Sequence, residues 1–270
     1  MPAPEVPIER INGPAPLVSP MGLFENEGDL IRLGVPWLGS VQVSSKGIQV
    51  IAPDSDLIEK TLCALGSWAS AQWLMTRGLC VMRGTVVAKQ GSALVLTGGW
   101  GVGVSVTAAQ LTRHGWGIVS DGLVAIDAEG SALRIDAQES TVRIDSLVAQ
   151  GLFADLPSRH IASTRDRKEI TLPSHGDAKV SYYVGIGIRE SAAGISINRA
   201  VLAPGEQEGP TENHIWSPLL HVSRITEPPV APSFVAVRPN PRTLDDAPRI
   251  GPPAMALAIM EALETIEDLR

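Results

Sequence analysis

The stretch Leu94-Val95-Leu96-Thr97-Gly98-Gly99-Trp100-Gly101-Val102-Gly103-Val104-Ser105 decides how this chain is read. An apolar run, Ala93 to Leu96, enters a turn carrying Gly98, Gly99, Gly101 and Gly103, and the turn opens into a helix-like segment, Val104 to Arg113. Buried strand, glycine loop and helix, in that order, are the layout of a phosphate-binding loop. There, glycines let backbone N–H groups converge on phosphate oxygens while the helix N-terminus adds a favourable dipole. Gly98, Gly103 and Ser105 take the two glycine positions and the hydroxyl position of Gly-x-x-x-x-Gly-Lys-Ser/Thr, and Val104 stands where the lysine belongs. The four glycines and Ser105 are therefore the candidate cofactor-binding set, in a frame that lacks its phosphate-neutralising side chain.

Downstream, Gly117-Ile118-Val119-Ser120-Asp121 reads as a short strand ending in an acid, with Leu123 to Ile126 beyond it. An acid so placed orients a metal ion or activates a hydroxyl, or it caps the turn before Gly122. Asp127 to Gly130 is a hairpin turn from which Ser131 to Ile135 pairs back. Upstream, Leu79 to Val87 and Gly91 to Thr97 read as two strands around a tight turn. Pro53-Asp54-Ser55-Asp56 caps a helix, or two shorter ones broken at Gly66, whose apolar positions run from Leu57 to Leu74 and end at Arg77-Gly78. Val41, Val43, Ile48, Val50 and Ala52 alternate around a short hairpin loop. Residues 1 to about 20 are proline-rich and without period, and read as a loosely ordered arm dispensable for folding.

At 270 residues and 44% apolar content the chain can bury a sizeable core. A net charge of −7 with few basic clusters argues against nucleic acid as a partner. No apolar run reaches the roughly 18 residues that would span a bilayer, and the first residues lack a basic-then-apolar leader, so a cytoplasmic protein without membrane association is expected. Cys63 and Cys80 read as buried free thiols, and no Cys/His spacing suggests a metal site.

The run from Arg77 to Asp127 resembles, without a gap, the C-terminal catalytic domain of HPr kinase/phosphorylase and its small bacterial HPr-kinase-like serine kinase relatives, with their phosphoenolpyruvate-carboxykinase-like P-loop fold. Gly47 to Met75 is similar to the small β-hairpin and helix that such relatives carry in front. Arg167 to Pro173 resembles their Lys-x-x-Leu-Pro segment, and Val237 to Arg242 resembles a Val-Arg-Pro-Gly-Arg-Asn stretch before their last helix. The resemblance implies an α/β fold, a mixed sheet flanked by helices over residues 77–270, with an N-terminal β-α appendage over residues 21–76. It also makes a homo-oligomer a reasonable expectation.

Three positions depart from that family. Arg83 replaces its histidine, Val104 its loop lysine, and Gly122 the second aspartate of its acidic pair, leaving Asp121 and Ser105. Phosphoryl transfer is mostly positioning and electrostatic stabilisation, which a valine cannot supply, so no cofactor is expected beyond weak binding of magnesium-ATP. Asp121 and Arg83 are the candidate catalytic pair. Arg83 either delivers the missing positive charge from the neighbouring strand or is a solvated or carboxylate-paired arginine. Trp100 either offers a stacking face or plug at the loop or folds over the core edge. Without nucleotide, Ser105 is left only a helix-capping role.

Trp100, Lys168, Arg238 and Arg242 form the candidate substrate-binding set. The Pro157 to Arg167 segment reads as a polar loop whose basic residues are solvated or draw in an anionic substrate or acidic peptide. Gly194 to Val201 reads as a strand, Ala203 to Pro210 as a loop, His214 to Arg224 as a short helix, and Pro253 to Leu269 as an amphipathic packing helix. Two functions stay open: a pseudokinase or binding and scaffold component of a peptide-modifying biosynthetic pathway, or an enzyme in a repurposed kinase pocket acting on an anionic or phosphorylated substrate. A serine kinase with an atypical loop is the remaining variant of the second.

Overall fold

The computed structural model describes residues 6–13, 24–27, 30–35, 37–99, 101–135, 141–161, 166–188, 194–199, 231, 233–238 and 251–267. The described residues divide into two compact units, one running up to Val81 and the other from Met82 onward.

In the first unit the strands β1 (Ile8–Asn12), β2 (Phe24–Glu27), β3 (Leu30–Val35), β4 (Gly39–Ser44) and β5 (Gly47–Ala52) form one sheet in the order β1-β5-β4-β3-β2. Alternation decides which face is buried: Val41 opposes Val50, Val43 opposes Ile48, and all four are inaccessible or nearly so. The helix α1 (Ser55–Thr76) covers that sheet, packing on β4 and β5. Its N-cap is Asp54, whose carboxylate accepts the Leu57 N–H at 2.8 Å. Gly66 does not break it, and its C-terminal half, Trp68 to Met75, is largely buried.

The loosely ordered arm expected over residues 1 to about 20 gives way to a strand at Ile8–Asn12. β1 runs parallel to β5, from Ile8 opposite Ile48 to Asn12 opposite Ala52, extended by Ile48 N–H to the Pro7 carbonyl (2.9 Å) and Gly13 N–H to the Ala52 carbonyl (3.0 Å). Because this pairing is made by backbone groups while most β1 side chains stay exposed, it leaves no apolar alternation in the sequence.

The second unit holds a seven-stranded mixed sheet. Its strands are β6 (Cys80–Lys89), β7 (Ser92–Gly98), β8 (Gly117–Ile126), β9 (Ser131–Leu133), β13 (Ala178–Ile188), β14 (Ser196–Arg199) and β15 (Ser233–Arg238), in the order β14-β15-β13-β7-β6-β8-β9. β7, β13 and β15 run parallel, β6 is antiparallel to β7, and β9 pairs with both β8 and β13. The helices α2 (Val104–Thr112) and α4 (Pro252–Glu267) pack together on one face of it. Leu94, Leu96, Ala108, Leu111, Val184 and Met255 make up the centre of that layer.

A second, three-stranded sheet is made by β10 (Thr141–Asp145), β11 (Ser158–His160) and β12 (Arg167–Thr171), with β12 in the middle. Its inner face, Val142, Ile144 and Ile170, joins the same core, as do Ala149 and Phe153 at the short helix α3 (Ser146–Leu152). The polar loop expected over Pro157 to Arg167 thus contains a strand. Ser158, Arg159 and His160 are all exposed, so only backbone pairing with β12 makes them β, and composition could not reveal it. Trp100, Arg242 and the segments 203–210 and 214–224 lie outside the described residues, as does the side chain of Arg238.

Candidate functional site

The apolar strand β7 delivers the chain to Gly98, and the loop passes Gly101 and Gly103 in the left-handed region (φ 79° and 94°) before α2 begins. Gly98 is required by packing. A Cβ there would sit 2.6 Å from Val102 Cγ2, 2.7 Å from the Ile186 carbonyl oxygen and 3.0 Å from Val104 Cγ2. Both valines are half-buried and rest against the core. The methyl groups of Val102 and Val104 therefore pack against the base of the loop at Gly98.

Beside the loop, Asp121 on β8 is the focus of a polar network. Its Oδ1 accepts hydrogen bonds from Thr85 Oγ1 (2.5 Å) and Ser105 Oγ (2.8 Å), and its Oδ2 accepts the Arg143 N–H at 3.2 Å. Burial pushes the Asp121 carboxyl above its ordinary value, while these three donors and the Arg143 charge pull it back. Every partner donates to Asp121, so the network is built for the carboxylate form. The structure corrects the helix-capping role expected of Ser105: Gly103 occupies the cap position without a side-chain hydrogen bond, and the Ser105 hydroxyl, two residues inside α2, is turned to Asp121.

Arg83 is exposed and precedes Thr85 by two residues on β6, so the two share a strand face. The antiparallel pairing of β6 with β7 starts at Thr85, opposite Leu96, two residues after Arg83 and two before Gly98. Gly98 in turn pairs with Ile186 of β13, and Arg238, the last residue of β15, pairs with Ile188. Arg83, the loop, Ser105, Asp121 and the backbone of Arg238 thus gather at the carboxyl-terminal end of the parallel strands, where open α/β sheets bind ligands. Gly122 has φ 82°, so the second acid that the family pattern would place there would cost about 1–2 kcal/mol of backbone strain.

Lys168 lies on β12. Its register places it opposite Ile144 and His160, on the inner face of the three-stranded sheet. The outer face carries residues that the sequence did not single out as a set: Arg143, Glu169 and Arg159, directly opposite one another across β10, β12 and β11. Glu169 Oε1 accepts from Arg143 Nε at 3.2 Å and Oε2 from Arg159 Nε at 2.6 Å. Burial alone would push the Glu169 carboxyl up, but the two guanidiniums hold it below the ordinary glutamate value. Thr85 and Arg143 were missed in the sequence: the only available signal for Thr85 is its two-residue spacing from Arg83, and the alternation Val142-Arg143-Ile144 could have set Arg143 on an outward face.

Among the described residues no group of His, Cys, Asp and Glu could hold a metal ion, and no helix is long and apolar enough to cross a membrane. Cys80 is buried, which pushes its thiol up to about 12. Cys63, expected to be buried, is exposed on α1.

No family model and no curated protein matches the chain. Among solved structures, the chain is similar to the Hpr(Ser) kinase/phosphatase from Coxiella burnetii, at 10% identity over 70% of this chain and 93% of that one, with a TM-score of 0.38. The architecture itself is mixed α/β, with sheets flanked by helices.

Proposed function

We propose that this chain is a degenerate phosphate-loop protein working as a pseudokinase, a binding or scaffold component of a peptide-modifying pathway that takes up an anionic ligand or partner segment rather than performing ordinary ATP-dependent phosphoryl transfer. The observation that carries this reading is the pair of valines over Gly98: Val104 replaces the lysine charge, and its methyl, with that of Val102, closes on the base of the loop. An apolar lining there provides no compensation for the desolvation of a polyphosphate. The Ser105 hydroxyl donates to Asp121 at 2.8 Å, which ties the first turn of α2 to β8.

A second reading draws support from Asp121. A carboxylate that burial makes more basic, and that accepts hydrogen bonds without being needed as a donor, is suited to take a proton from a bound hydroxyl. In an enzyme of this kind Asp121 would serve as acid/base and Arg83, two residues from Thr85 on β6, as anion anchor. Calorimetric titration of magnesium-ATP, ADP and phosphate into the full chain tests the first reading. The expected result is no nucleotide binding tighter than millimolar, in the wild type and also in Val104→Lys, where Val102 still occupies the loop. Micromolar magnesium-ATP binding by the wild type would overturn it.

A further inference from the structure

We propose that Arg143 and Arg159, both held on the buried Glu169 carboxylate, form a clamp next to Asp121 that binds the oxyanion, phosphoryl or carboxylate, of the ligand this protein takes up. The inference rests on the reading of the site as one for an anionic ligand and names the residues that would recognise that anion. Three observations carry it.

First, two guanidiniums are fixed at one spot. One carboxylate, on a side chain only 11% exposed, holds both, on a chain whose net charge is −7, and the Asp121 carboxylate beside Arg143 is the second acid that balances them.

Second, the geometry leaves donors for a ligand. Each arginine reaches Glu169 through Nε, from strands about 4.8 Å to either side of β12. The Nη groups belong to side chains that remain 59% and 78% exposed, and a guanidinium edge is the shape that meets phosphate or carboxylate in two parallel hydrogen bonds. Anchoring at Nε restricts the guanidiniums before a ligand arrives, so less ordering is left to be done on binding.

Third, the clamp is tied to the candidate site. The backbone N–H of Arg143 is the donor to Asp121 Oδ2, and the Arg143 charge acts on the Asp121 carboxyl. An anion held by Arg143 therefore lies beside the group best placed to accept a proton.

The test is calorimetry of the full chain, free of magnesium and nucleotide and at low salt, with inorganic phosphate and triglutamate as probes. Saturable binding of at least one probe is expected, weakened about tenfold or more in Arg143→Gln and in Arg159→Gln, as the loss of a charge-assisted pair of hydrogen bonds implies. Arg143→Lys, which keeps the charge and loses the fork, should fall between. Lys60→Gln, an exposed cation paired with Asp56 on α1, should match the wild type. Melting temperatures close to wild type show that the variants are folded. A preference for phosphate assigns the clamp to a phosphoryl group, and a preference for triglutamate assigns it to an acidic peptide. No saturable binding of either probe, or affinities within about twofold of wild type in the glutamine variants, overturns the clamp. That failure would leave the pseudokinase reading standing, whereas micromolar magnesium-ATP binding would remove that reading whatever the arginines do.

Discussion

Replacing Gly98 with alanine is the sharpest probe of whether the loop is filled from within. The added methyl would meet three atoms that differ in freedom: Val102 Cγ2 at 2.6 Å, the Ile186 carbonyl oxygen at 2.7 Å and Val104 Cγ2 at 3.0 Å. The two valine methyls can give way by rotation or a small shift of the loop. The carbonyl belongs to β13, which is hydrogen-bonded between β7 and β15 and cannot yield without opening the sheet. Overpacking of this kind costs typically 1–3 kcal/mol, and contact with backbone places Gly98→Ala near about 3 kcal/mol. In urea, with a slope of about 2–3 kcal/mol/M, the midpoint should fall by about 1 M. Hydrogen exchange at the amides of β7 and β13 would assign the loss to this unit. Adding Val102→Ala removes the shortest contact and leaves the carbonyl, so the double variant should recover only part of the loss. A cost for Gly98→Ala of less than about 0.5 kcal/mol, the range of an indifferent surface change, would refute the claim that this space is closed.

Three further outcomes follow from the network and the first sheet. Because burial raises the native Asp121 carboxyl above its unfolded value, its ionisation costs stability as pH rises from the ordinary carboxylate range, about 4, through the raised native value. Relative to Asp121→Asn, the wild type should therefore gain stability as pH falls through that window, read as the difference between two series of urea melts; a difference independent of pH would contradict it. Ser105→Ala should cost about 1.5 kcal/mol, the worth of a hydrogen bond to a charged group, and should move Asp121 further up in a carboxyl titration by NMR, whereas a merely capping serine would leave that titration unchanged. Deleting residues 1–13 should lower the melting temperature and promote association, because it strips β5 of its parallel partner and exposes an edge; a deletion that melts with the wild type would show β1 to be dispensable.

What the sequence made legible was what the chain encodes locally. The order of strand, glycine loop and helix, the acidic cap at Asp54 and the terminal helix all leave signatures within a few residues of themselves, whereas the strand expected to end at Asp121 runs on through it to Ile126, so the acid stands in mid-strand. That Arg83 lies on the strand beside the one entering the loop was also within reach, because a tight turn joins the two strands. What escaped was set by partners far away in the chain. β1 and β11 are strands because β5 and β12 accept them, and their exposed side chains carry no period. Glu169 looks like any acid in a charged run until its register places it between Arg143 and Arg159. Ser105 sits where a cap or a metal ligand was expected, and only the approach of β8 shows that its hydroxyl serves Asp121.

The strand β10 shows how the core fixes the relation between the two parts of the site. Within five residues it buries Val142 and Ile144, presents Arg143 to Glu169 on the other face, gives the Arg143 N–H to Asp121, and ends in Asp145, whose Oδ1 accepts the N–H groups of Leu147 and Val148 to start α3. A slip of one residue against β12 would turn Arg143 into the core and both apolar residues out of it, at a cost far beyond that of any single surface contact. The register is therefore held by Val142 and Ile144, which touch no ligand, and the distance between the arginine pair and the Asp121 carboxylate is inherited from it. Changes in ligand preference can then be made at the outward side chains alone, by exchanging Arg143 or Arg159, without moving Asp121, since its bond to β10 is made to the backbone.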